Sequence, residues 1–230
     1  MEHFVFTLLV FHMEHLYLFI FFLTHSIPVR PANRIKLVAM IGQRGFSAAY
    51  SAMSLAALAW VIGAAGRAPY VPIWYWAPWQ NAVTILVMFC VCILIALAIA
   101  RPNPFSFGGA RNSEFDPRNP GLIRLSRHPL LFALALWAFG HVVPNGDLAH
   151  VILFGVFGSF AVLGQTLIDR RKQRQMGRDW AILMTQTKAA PLRLNPQNWP
   201  VLTVRTVCGV LVFAALLWSH PTLIGVSPLP

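Results

Sequence analysis

The stretch Ala82–Ala100, AVTILVMFCVCILIALAIA, contains no charged residue and is long enough to cross a bilayer as one helix. A hydrocarbon core about 30 Å thick needs roughly 20 apolar residues, because each helical residue advances the chain by about 1.5 Å. The chain of 230 residues is 57% hydrophobic and 11% charged. Soluble domains carry about 25% charged residues, so the composition predicts an integral membrane protein.

Similar apolar runs on both sides of this stretch predict six spans in all. The predicted spans are Phe4–Leu23, Ser47–Ala65, Ala82–Ala100, Pro129–Val143, Ala149–Asp169 and Val201–His220. The fourth run is short, and we expect its helix to begin earlier, near Leu122. The connector Pro144–Leu148 is turn-rich and allows only a hairpin between its two helices. We therefore expect an all-α, polytopic membrane helix bundle of about six transmembrane helices, forming a single domain over residues 1–230.

The Lys and Arg residues predict the orientation of the bundle. Sixteen of the eighteen lie in the first, third and fifth gaps between spans, and basic residues accumulate on the cytoplasmic side. The first span carries no positive leading region and no small-residue cleavage site, so we expect it to be retained. Both termini should then lie outside the cytoplasm. The net charge of +11 follows from topology and does not indicate a nucleic acid partner.

The fifth gap, residues 169–200, predicts a basic cytoplasmic loop at the membrane interface. It opens with basic residues and continues through Trp180, Ile182, Leu183 and Met184, a spacing compatible with a helix lying at the interface. Such segments attract anionic headgroups by about 1 kcal/mol per basic residue. An anchor for topology and a lipid-binding surface both explain this pattern.

Histidines are the candidate functional side chains, since ionisable groups within spans are costly and neutral imidazole binds iron, copper and zinc. His25 follows the first apolar run and precedes Pro28. His128 stands before Pro129, where helix capping is the simpler interpretation. His141 follows thirteen residues later, roughly 20 Å along the helix. Its neighbour Gly140 suggests space for a flat ligand. Further ionisable residues lie in or near the spans, and hydration or an interfacial position accounts for them: His3, His12, Glu14, His15, His150 and His220.

Several common sites are excluded by their missing motifs. The sequence contains no C-x-x-C-H, so any haem would be bound non-covalently. It contains no G-x-G-x-x-G, P-loop, H-E-x-x-H or G-x-S-x-G either, which leaves nucleotide-binding, protease and hydrolase functions unsupported. The cysteines Cys90, Cys92 and Cys208 all lie within apolar runs and are expected to be buried small hydrophobes.

Five short segments in series resemble the NnrU family. These segments are Thr24–Pro28 with Arg30–Pro31, Ile41–Phe46, Ser126–Pro129, Ala138–His141 and Asn145–Leu148. The resemblance implies a multi-pass protein of the inner membrane that is associated with nitrite and nitric oxide reduction. It does not define a biochemical activity.

The plant zeta-carotene cis-trans isomerase is similar to this family and holds haem b between two histidines. Carried over by position, this resemblance implies His25 and His141 as the metal ligands and haem-dependent redox or isomerase chemistry on an apolar substrate. The plant enzyme has a cysteine where this chain has Ala138, so ligand exchange through a thiolate is not expected. Two axial nitrogens lie about 4 Å apart. His25 and His141 are predicted at different depths, so His25 with His128 is the alternative pair.

Two further functions stay open at this point. Arg127-His128-Pro129 and Gly177–Trp180 resemble the isoprenylcysteine carboxyl methyltransferases, which implies a cofactor site near Arg127 and His128. A non-enzymatic assembly factor that docks a membrane reductase subunit through the basic fifth loop is the other function.

Overall fold

The computed structural model describes residues 16–191 and 199–229, and these residues are mainly helical. The described residues form seven α-helices: α1 Leu16–Ser26, α2 Pro31–Ala65, α3 Pro78–Ala98, α4 Pro129–Val142, α5 Leu148–Met176, α6 Arg178–Ala189 and α7 Trp199–Ile224. Two short 3₁₀ helices, Asn112–Glu114 and Gly121–Arg124, lie between α3 and α4.

The predicted all-helical membrane bundle is confirmed. Helices α2, α3, α5 and α7 are each long and apolar enough to cross a bilayer, whereas α1 and α4 are shorter apolar helices. The predicted first span, Phe4–Leu23, lies partly outside the described residues. The number of six spans and the orientation of the termini stay predictions.

Two helices begin well away from where the sequence predicts them. The predicted loop between the first two spans is largely helical, because α2 begins at Pro31 and is interrupted only at Gly42. Gly42 has φ +72°, a backbone conformation that favours glycine. The fourth helix does not begin near Leu122, since His128 (φ −120°, ψ 60°) precedes Pro129 and is not helical. A residue before proline is sterically disfavoured in the α conformation.

The described residues form two compact units. The first contains the residues up to Tyr75 together with Gly146–Leu153. Within it, the rings of Tyr17 and Trp60 meet edge to face at 4.7 Å and join α1 to α2. The connector backbone is also fixed here, since the Ile73 N–H donates to the Gly146 carbonyl at 2.7 Å. A side chain at residue 146 would collide with Trp74, so this turn requires glycine.

The second unit contains Trp76–Asn145 and the described residues from Phe154 onward. Helix α3 packs against α4 and α7 in this unit. The contact with α4 is close, because the Thr84 hydroxyl donates to the Gly140 carbonyl at 2.9 Å. Helices α4 and α5 form the expected hairpin around Leu131, Ala135 and Ala161.

Helix α6 and the chain between α3 and α4 pack together at one end of the second unit, in a substructure that we call the cap. Its core consists of Phe105, Ile123 and Met184. Trp180 and Leu183 pack against this core, so the apolar side of α6 contacts protein. The helix expected after the basic cluster is therefore present, but most of its large apolar residues pack against the core of the cap. Only Ile182, 57% exposed, remains for a lipid contact.

Candidate functional site

The three candidate histidines lie at the ends of helices. His25 is near the end of α1 in the first unit. His128 directly precedes α4, and His141 lies in the last turn of α4, both in the second unit. A ligand pair made of His25 with either of the others would therefore draw on both units, and each pairing stays a prediction.

The ring of His141 is held with one nitrogen free. Its Nδ1 lies 2.8 Å from the Trp137 carbonyl oxygen. A carbonyl can only accept, so Nδ1 carries the proton and the lone pair is on Nε2. Among the described residues, Nε2 has no hydrogen-bond partner. Hydrogen bonds of this kind orient metal-binding histidines and make the other nitrogen more basic.

Aromatic rings surround His141. The ring centroids of Trp137 and Phe154 lie 5.4 Å and 5.1 Å from that of the imidazole. The Asn145 amide donates to the His141 carbonyl at 2.7 Å and satisfies an acceptor at the end of α4. The imidazole of His141 is therefore half-buried in an apolar setting, in contact with a ring of α4 and a ring of α5.

Gly140 does not provide the ligand space that the sequence suggested. A Cβ at this position would lie 2.9 Å from Cγ1 of Val87 on α3. The gap beside Gly140 is therefore filled by α3, and the glycine serves helix packing. A flat ligand would have to contact His141 from another side of the ring.

His25 is held by α1 and α2. Its Nδ1 lies 3.3 Å from the Ser54 hydroxyl, and the Tyr50 hydroxyl donates to its backbone carbonyl at 2.9 Å. The Phe21 ring stacks on the imidazole at 5.5 Å. Among the described residues, Nε2 again has no hydrogen-bond partner. His25 thus shares with His141 a fixed ring and one open nitrogen.

His128 differs, because both of its nitrogens are occupied and its side chain is only 2% exposed. Nε2 lies 3.0 Å from Oδ1 of Asp169, and Nδ1 lies 2.9 Å from the Ser106 hydroxyl. A carboxylate accepts only, so Nε2 donates. Burial lowers the pKa of His128, and the Asp169 carboxylate offsets this only in part. The neutral ring therefore accepts a hydrogen bond from Ser106.

Arg127 completes this arrangement, which we call the His128 network. Its guanidinium donates to both Asp169 oxygens, through Nε at 3.3 Å and through Nη2. The network joins the start of α4, the C-terminal half of α5 and the cap. Sequence reasoning missed Ser106 and Asp169 as partners. The available signal was Asp169 itself, a carboxylate at the end of an apolar run that needs a cation nearby.

The family model described as "NnrU protein" matches residues 13–228, nearly the whole chain. The chain belongs to the NnrU family. Comparison with curated proteins and with solved structures gives no match. The family resemblance predicted from five short segments is therefore confirmed.

The remaining histidines of this NnrU-family chain differ in their surroundings. The Nδ1 of His150 lies 2.8 Å from both carboxylate oxygens of Asp147. His220 Nδ1 lies 2.8 Å from the Val226 carbonyl oxygen. His3, His12, Glu14 and His15 lie outside the described residues.

Metal-binding clusters of three or more His, Cys, Asp or Glu residues are absent from residues 16–191 and 199–229 of this NnrU-family chain. Haem needs only two axial imidazoles, and the pair of His25 and His141 stays a prediction. The geometry adds no support for a methyltransferase cofactor site near Arg127 and His128, since both side chains bind Asp169.

Proposed function

We propose that this NnrU-family protein is a multi-pass inner-membrane protein that binds haem b non-covalently through His25 and His141. One observation carries the proposal: the Nδ1–H of His141 donates to the Trp137 carbonyl and leaves Nε2 as the ligand atom. His25 supports it with a fixed ring and an open Nε2. Bound haem would supply redox chemistry to an apolar substrate, or to nitrite and nitric oxide metabolism.

The protein residues have defined tasks in this proposal. Trp137 fixes the tautomer of His141, and Phe154 limits water at the ring. Ser54 and Tyr50 fix the orientation of His25 relative to α2. His128 is not a ligand in the proposal, because both of its nitrogens already have partners.

The test is the haem content of protein purified after haem-replete expression. We expect a Soret band in the wild type, and a large loss of haem in His25→Ala and in His141→Ala. His150→Ala is the matched control, since the Nδ1 of that imidazole is hydrogen-bonded to Asp147, and this variant should leave the haem content unchanged. Equal losses in all three variants, or a wild type without a Soret band, would contradict the proposal.

A further inference from the structure

Three arginines, Arg101, Arg111 and Arg205, converge at the end of α3 in the second unit and form what we call the arginine cluster. The Arg205 Nη1 donates to the carbonyls of Ala96 and Ile99, at 2.8 Å each. Its guanidinium therefore lies on the last turn of α3. One of the carbonyls it binds, that of Ile99, is only two residues before Arg101. These bonds use Nη1, and among the described residues the Nε and Nη2 of Arg205 have no hydrogen-bond partner.

The chain beyond α3 brings the third arginine to the same place. The Ala100 N–H donates to the Gly108 carbonyl at 2.9 Å, and the Ala110 N–H donates to the Arg101 carbonyl at 3.1 Å. These two bonds close the loop of residues 101–109. Arg101 and Arg111 lie at the two ends of this loop, where its strands of chain meet. Ala100 and Arg111 adopt φ values of 55° and 53° there.

The described residues supply the arginine cluster with less negative charge than its three arginines carry. Among the residues that the structure describes, neither Arg101 nor Arg205 forms an ion pair. Arg111 has only Glu114 at 3.5 Å, in a pair that is largely exposed. Burial lowers the pKa of Arg101, and the positive charges of Arg205 and Arg111 lower it further. Three positive charges held close to one exposed carboxylate leave a net positive site, which favours the binding of an external anion.

The surroundings of the cluster indicate which anion. Arg205 lies six residues into α7, about 9 Å from its first residue, Trp199. Trp199, Val201 and Val204 on α7 are 58%, 47% and 62% exposed, and Ile99 at the end of α3 is 49% exposed. Tryptophan is enriched at the level of the headgroups. The arginines thus lie where apolar helix surface meets the charged cap.

We propose that the arginine cluster is a binding site for the phosphate of an anionic phospholipid, with the acyl chains against the exposed apolar residues of α3 and α7. Arginine binds phosphate through several N–H groups at once. Basic pockets between transmembrane helices bind lipid headgroups in this way. The site is independent of the proposed haem ligands and would be occupied with or without haem.

Native mass spectrometry of the delipidated full chain in detergent tests the site. We expect phosphatidylglycerol to be retained in preference to phosphatidylcholine with the same acyl chains. Arg101→Gln should weaken phosphatidylglycerol binding about fivefold, as expected for one basic residue near a headgroup. Arg111→Gln, which removes no side-chain cap hydrogen bond, should weaken it in the same direction.

Arg174→Gln is the matched control, because it removes the same charge from the exposed basic end of α5. It should leave the binding unchanged. Equal retention of the two lipids, or an equal loss in Arg174→Gln, would overturn the proposal in favour of general surface charge. Inorganic phosphate added without lipid should not bind, and Arg101-dependent binding of phosphate alone would overturn the assignment to a lipid.

Discussion

The Nε2 of His128 lies 3.0 Å from Oδ1 of Asp169, and this contact fixes the beginning of α4 against α5. Arg127, the residue before, binds the same carboxylate. One acidic side chain, 15% exposed, thus satisfies two consecutive residues of the Arg-His-Pro motif. Removal of its charge would leave both donors without a charged acceptor.

Asp169→Asn should therefore destabilise the protein by about 2–3 kcal/mol, since a partly buried arginine and a buried imidazole both lose a charged acceptor. Denaturant unfolding in detergent measures the change. Glu114→Gln is the control, because it breaks an exposed pair with Arg111, and such pairs contribute about 0–1 kcal/mol. Equal effects of the two substitutions would show that the His128 network contributes no more to the free energy of unfolding than an exposed ion pair does.

Stability should fall in mild acid because of His128. Its pKa lies below the ordinary value of 6.5 in the folded protein, so the unfolded chain binds the proton more strongly. The full contribution of the neutral ring is present above pH 6.5 and is lost as the pH falls through the lower folded pKa. Thermal unfolding of the wild type and of His128→Gln from pH 7.5 to pH 5 measures it. We expect a smaller loss of stability in the variant, and an identical pH profile would contradict this role.

Gly140→Ala should separate α3 from α4. The added methyl group would lie 2.9 Å from Val87, and overpacking of this kind costs about 1–3 kcal/mol. Gly155→Ala on α5 is the matched control, since nothing lies within 4 Å of its added methyl group. Alanine favours a helix more than glycine does, so the control should be neutral or slightly stabilising. A Gly140→Ala variant as stable as the wild type would show that the close contact is not needed.

The sequence predicted the helical regions well and their contacts poorly. The apolar runs predict helix ends such as Ala65 to within one residue, because the end of an apolar run can be read directly from the composition of the sequence. Residues 31–46 were missed as helix, since their Lys and Arg and the nearby prolines are equally typical of a loop. The partnership of His128 with Ser106 could not be predicted, because it depends on how the cap folds over α4. Gly140 was misread for the same reason, since Val87 lies on another helix.

The predicted orientation can be tested with reporter fusions. A reporter that is active only outside the cytoplasm should be active when fused after the last residue, Pro230. The same reporter should be silent when inserted at the exposed turn Asp116–Asn119, because the basic third gap predicts a cytoplasmic position. The reverse pattern would invert the orientation and leave the bundle itself unchanged.

The most direct test of the haem proposal is the spin state of the ferric protein by electron paramagnetic resonance, compared between the wild type and His141→Ala. Two imidazole ligands predict a low-spin signal in the wild type. Loss of the Nε2 of His141 should convert any retained haem to high spin, while His150→Ala should keep the low-spin signal. A haem-loaded wild type whose low-spin signal persists unchanged in His141→Ala would contradict the central claim that His141 binds the iron.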